Sequence, residues 1–108
     1  MNDLFEEQVN HLGESHFLVL SWAAKAEDRR VRYNITNCFD DLKYSAITRT
    51  KQNAVAVVDS LSLLRFVDIR EEGNRKNLYI TTYGAKALAS LVLSRTFAPK
   101  RSAFLEGP

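Results

Sequence analysis

Residues 48–61 read TRTKQNAVAVVDSL, and the stretch changes character at Asn53. Thr48, Arg49, Thr50, Lys51, Gln52 and Asn53 form one polar block, and the helix behind that block is mostly aliphatic. Placed at 100° per residue, Ala54, Val57, Val58, Leu61 and Leu64 fall within roughly 120° of one another, a core-facing stripe. The opposite face is centred on Gln52, Ala56, Asp59 and Leu63, flanked by Asn53, Val55 and Ser60. This spacing predicts a helix over 50–64, capped by Thr50 and entered through a tight turn at 48–50. A helix that only fills a core spreads its polar residues down one face. Here they gather at the N-terminal end, where they would meet something outside the molecule.

On either side, the hydrophobic period alternates between helix and strand values. Residues 3–12 place Leu4, Phe5, Val9 and Leu12 at helical spacing, with Gly13 as the stop. Ser15 is expected to cap a second helix running to Ala26, with Phe17, Leu18, Trp22 and Ala23 inside. RVRYNIT (30–36) alternates Val31, Tyr33 and Ile35 with polar residues, predicting a short strand. Thr36 or Asn37 is expected to cap a third helix reaching Ala46 or Ile47, with Asp40 and Asp41 near its start as dipole partners. Beyond Leu64, RFVDIREE (65–72) and NLYITT (77–82) read as strands joined at Gly73-Asn74, a dipeptide that accepts positive φ at both positions. Thr82 is expected to cap a last helix, YGAKALASLVLSR, with Leu88, Leu91 and Val92 inward, and a polar tail over 96–108 ends the chain.

The resulting class is α+β, mainly α. Its order is helix-helix-strand-helix-helix-strand-wing-strand-helix, the connectivity of a winged helix-turn-helix with a three-stranded antiparallel sheet. At 108 residues the chain suits a single domain over 1–108. The first helix (1–13) is expected to be a dimer element.

Charge points to the partner. The net charge is only +2, but its distribution is uneven. Residues 1–42 carry eight acids and four bases, whereas residues 43–86 carry eight bases and four acids. That suggests one face built for a polyanion. Within the predicted reading helix, Gln52 and Asn53 can each pair bidentately with adenine, and Arg49 and Lys51 suit guanine or phosphate. Val55 and Ala56 suit thymine methyls, and Ala56 lets the backbone sit deep in a groove. Arg70, Asn74, Arg75 and Lys76 on the wing are expected to contact phosphates or the minor groove, with Arg30 and Arg32 as weaker candidates. Asp59 does not fit a phosphate-facing surface and is expected to pair with Arg65 or Arg70.

These stretches resemble a known group. TKQNAVAVVDSLSLLRFV (50–67) is similar to the recognition-helix stretch of MarR- and PadR-type winged-helix regulators. RKNLYITTYGAKAL (75–88) resembles their wing and exit, most specifically in Thr81-x-x-Gly84-x-x-Ala-Leu. The likeness covers about residues 31–93. It implies sequence-specific double-stranded DNA binding by a small homodimeric transcriptional regulator, with helix 50–64 in the major groove and wing 70–77 on the backbone or minor groove. Two departures stand out. Arg65 sits where these families place a glycine, so a left-handed position there would carry strain. The hairpin is short, and one helix after it leaves little of the usual dimer arms. The length fits a minimal regulator, or a plasmid- or virus-type centromere-binding segregation adaptor. A winged-helix protein-interaction module that does not bind DNA stays open beside these.

Apolar surface on the first and last helices (Leu4, Phe5, Val9, Leu12, Leu88, Leu91 and Val92) is expected to form a dimer interface. Enzymatic activity is not expected. His11 and His16 are five apart and do not share a helix face, Cys38 stands alone, and the four glycines are scattered. No metal or cofactor is expected. The longest apolar run is far short of a membrane span. The acidic start lacks a basic leader region, and the lone cysteine suits a reducing compartment, so the expected location is cytoplasmic, on the nucleoid when DNA is bound.

Overall fold

A computed structural model of the chain describes residues 3–106. The elements run α1 (Asp3–Asn10), α2 (Glu14–Asp28), β1 (Tyr33–Asn34), α3 (Ile35–Tyr44), α4 (Lys51–Leu63), β2 (Val67–Glu72), β3 (Arg75–Ile80), α5 (Thr82–Ser94) and α6 (Ala103–Glu106). The sheet order is β1-β3-β2, antiparallel throughout. Ile69 lies opposite Leu78, and Glu72 opposite Arg75 at the wing tip. This is the expected winged helix-turn-helix topology, with a short added helix at the end.

α2 is the axle. Phe17, Leu18, Val19, Leu20 and Trp22 are all buried, so the helix is enclosed on every side and packs against α3, α4, α5 and β3. A helix this apolar around its circumference belongs in a core. The stripe read from α4 lands where its period places it: Ala54, Val57, Val58 and Leu61 are buried.

Several boundaries differ from expectation. Gly13, not Ser15, precedes α2, and its N–H donates to His16 Nδ1 at 3.1 Å. β1 holds only two residues because Asn34 already caps α3, its Oδ1 accepting the Asn37 N–H at 2.8 Å. Thr36 and Asn37 therefore lie inside α3. α3 stops at Tyr44, where Ala46 turns left-handed (φ 61°). Thr81 rather than Thr82 caps α5, accepting from the Gly84 N–H at 2.9 Å and donating to Arg65 O at 2.7 Å.

That last pair explains the Thr81-x-x-Gly84 pattern. A Cβ on Gly84 would lie 1.9 Å from Phe66 O, so only glycine lets α5 rest on the entry to β2. Arg65 takes the strained conformation anticipated for it, with φ 66°. Its N–H bonds to Ser62 O at 3.0 Å and the Phe66 N–H to Leu61 O at 2.9 Å, a Schellman close in which arginine replaces the preferred glycine.

The final segment is not a loose polar tail. It runs back over α2 and α3 as a strap, with Trp22 Nε1 donating to Lys100 O at 2.9 Å and Lys25 pairing with Glu106 at 3.2 Å. Asp41 is no dipole partner, because it lies well past the first turn of α3 and is 1% exposed. It accepts from Tyr33 Oη and Ser102 Oγ, each at 2.5 Å, and from the Phe104 N–H at 3.2 Å. Burial, first, and this carboxylate raise the Tyr33 hydroxyl above its ordinary pKa; burial pushes the Cys38 thiol up to about 12.

Candidate nucleic-acid interface

α4 begins as its sequence requires. Thr50 Oγ1 accepts the Asn53 N–H at 3.2 Å, and Lys51, Gln52, Asn53, Val55 and Ala56 are all exposed. Among the described residues, no hydrogen bond or ion pair engages the side chains of Gln52 or Asn53. Lys51 leans toward α3, its Nζ 5.8 Å from the centre of the Phe39 ring. Thr48 is less open than the rest of the set: at 9% exposure it sits in the turn between α3 and α4, at the wall of a hollow it shares with Arg49, Thr50 and Lys51.

The β2–β3 hairpin closes through Gly73 (φ 67°), and Asn74, Arg75 and Lys76 at its tip are exposed. An open groove lies between this tip, the N-terminal end of α3 and one side of α4. Lys51, Val55 and Asp59 line it from α4, and Asn74, Arg75 and Lys76 from the wing. The structure thus brings the leading turn of α4 and the wing tip together around one cationic groove. A second hollow gathers Lys43, Arg49, Thr50 and Lys51 beside it.

Arg70 sits apart from the groove. Register places it on the hairpin face that carries Asp68, Glu72 and Tyr79. There its Nε donates to Asp68 at 2.9 Å, and the guanidinium covers the Tyr79 ring at 4.5 Å. On the same face Glu72 accepts from Asn77 Nδ2 at 2.7 Å and from the Tyr79 hydroxyl. These bonds hold the Glu72 carboxyl below the usual carboxylate range and raise the Tyr79 hydroxyl. Since Arg70 is paired with Asp68, the expected Arg70–Asp59 pair does not form, and among the described residues no ion pair involves Asp59.

Three contributors went unread in the sequence. Asn34, Thr36 and Asn37 from the α3 entry line the groove. Their signal was present as Asn34-x-x-Asn37, a cap preceding a polar first turn, but it was masked by the strand-like alternation of 30–36. Of the expected dimer set, Val9, Leu12 and Leu91 are buried in this chain's own core, since α1 folds back on α5. They complete the monomer. Phe5 and Leu88 are half-buried, while Leu4 and Val92 stay exposed at 61% and 54%.

TubR from Bacillus megaterium pBM400, a solved structure, superposes on this chain with a TM-score of 0.71 at 22% identity, covering 84% of this chain and 98% of TubR. The chain has the winged helix-turn-helix fold. Neither a protein-family model nor a curated protein sequence matches it. At that identity the likeness to TubR speaks for the winged-helix fold alone. Among the described residues no helix is long and apolar enough to cross a membrane, and no group of three or more His, Cys, Asp or Glu side chains is placed to hold a metal.

Proposed function

We propose that this winged-helix protein binds double-stranded DNA as a homodimer, with the head of α4 in the major groove and the wing tip along the adjacent backbone. The observation that carries this reading is the shared groove. Lys51, Arg75 and Lys76 converge on it from two elements, and among the described residues none of the three is held in an ion pair. Side chains left without internal partners at the head of a helix are available to base edges, while the flanking cations suit phosphates. Exposed Leu4 and Val92, with Leu63 at 84% and Leu93 at 83%, supply apolar surface for a twofold contact. On this reading the protein is a cytoplasmic binder, not an enzyme, and it needs no cofactor.

Within that reading, a DNA-segregation adaptor is favoured over a transcriptional regulator. What supports that choice is the match in fold to TubR of pBM400, which extends over 98% of that chain. The MarR- and PadR-like pattern in 50–67 and 75–88 supports the regulator as the second reading. Incubating the pure protein with fragmented DNA from its source and sequencing what it retains tests both. Retention of a repeat array supports segregation and of a single promoter operator supports regulation; no enrichment of any duplex counts against DNA binding. Sedimentation of the free protein at twice the monomer mass is the expected companion result.

A further inference from the structure

The groove holds one residue that a phosphate-binding surface should exclude. Asp59 continues the stripe Lys51–Val55–Asp59 along α4 and faces the same space as Arg75 and Lys76. Its side chain is exposed, and no hydrogen bond or ion pair engages it among the described residues. No helix-building role accounts for it either. The residues three and four away are Val55, Ala56, Ser62 and Leu63, so no neighbour on the helix face pairs with it. An acid in the C-terminal half of a helix gains nothing from the dipole, and aspartate is a poor helix former.

Resting on the DNA-binding reading above, we infer that Asp59 is the specificity-determining residue of the groove and selects a cytosine. An ionised carboxylate only accepts hydrogen bonds. Against phosphate it is repulsive, and the groove's other charges are cations that draw phosphate in. The carboxylate is accommodated where the duplex offers a donor in the major groove, and the amino group at cytosine N4 is the one that carboxylates pair with. Lys51, Arg75 and Lys76 then supply affinity for any duplex, and Asp59 penalises those lacking the donor at its position.

Selection from a randomised duplex pool with wild type, Asp59→Ala and Asp59→Asn tests this. Because Asp59 is exposed and unbonded, both variants should fold, which a melting curve verifies. Wild type is expected to enrich a C·G pair at one position. Asp59→Ala should lose that preference, and its ratio of selected-site to random-duplex affinity should drop about tenfold. Asp59→Asn should turn the same position toward adenine, the base an amide pairs with bidentately. Identical base preferences and affinity ratios in all three proteins would overturn the inference while leaving DNA binding intact. A wild type that enriches no duplex at all would remove the DNA-binding reading, and the role of Asp59 with it.

Discussion

Two polar clusters lie at opposite ends of α3, and they differ in what is left over. At the strap end, Asp41 is sealed from water, and its oxygens receive Tyr33, Ser102 and the Phe104 N–H. At the groove end, Lys51, Gln52, Asn53, Asn74, Arg75 and Lys76 stand exposed, with little internal bonding. Both are rich in groups that look functional in a sequence. The saturated cluster has committed its donors and acceptors to the fold, because a buried carboxylate without partners is too costly to keep. The open one has not, and that difference is what supports the proposal that a partner meets it.

The packed side can be broken first. Gly84→Ala forces a Cβ into the Phe66 carbonyl and should displace α5 from the sheet, lowering stability by about 3 kcal/mol in urea unfolding. An unchanged midpoint would mean that α5 does not sit this close. Asp41→Ala leaves two buried hydroxyls and one N–H without an acceptor, for an expected loss of about 2–3 kcal/mol. Hydrogen exchange of residues 100–106 should rise in parallel; protection equal to wild type would show that the strap is held by other interactions.

A smaller effect has the opposite sign. Arg65→Gly releases the left-handed strain at the end of α4 and should stabilise the chain by about 1 kcal/mol without altering its packing. Destabilisation would show that the arginine side chain contributes more than its backbone geometry loses.

The smallest effect is a pH dependence. His16 Nδ1 must be unprotonated to accept the Gly13 N–H, and burial lowers its pKa below the ordinary 6.5. The folded state therefore binds its proton less readily than the unfolded chain. Stability from this group is fully present above the ordinary value and declines as pH falls through it. Replacing His16 by Gln should flatten that part of the stability profile between pH 7 and 5; the same slope in both proteins would place its origin elsewhere.

What could be read in the sequence was local. The α4 stripe, its Thr50 cap, the Gly73-Asn74 turn and the strained Arg65 each depend on neighbours within a few residues. Cap positions slipped by one to three residues where several cap-capable side chains stand in a row, as at Asn34-Ile35-Thr36-Asn37 and Thr81-Thr82. The strap was illegible for a different reason. Its bonds join Asp41 to Ser102 and Trp22 to Lys100 across most of the chain, and no periodicity records pairings so distant. The same distance effect hid the burial of Val9, Leu12 and Leu91, whose apolar stripes look alike whether they meet another subunit or their own core. The side of the groove that α4 supplies was legible because it lies on one helix. The α3 contribution and the diversion of Arg70 to Asp68 emerge only once the strands are paired.

The central claim is that the open cluster meets a duplex, and a salt titration of duplex binding with Lys51→Ala and Arg75→Ala tests it most directly. Each variant should keep the wild-type melting temperature, bind more weakly at every salt concentration, and show a log-affinity against log-salt slope shallower by about 0.9 for each phosphate no longer neutralised. Two variants that bind with wild-type affinity and slope would contradict the account.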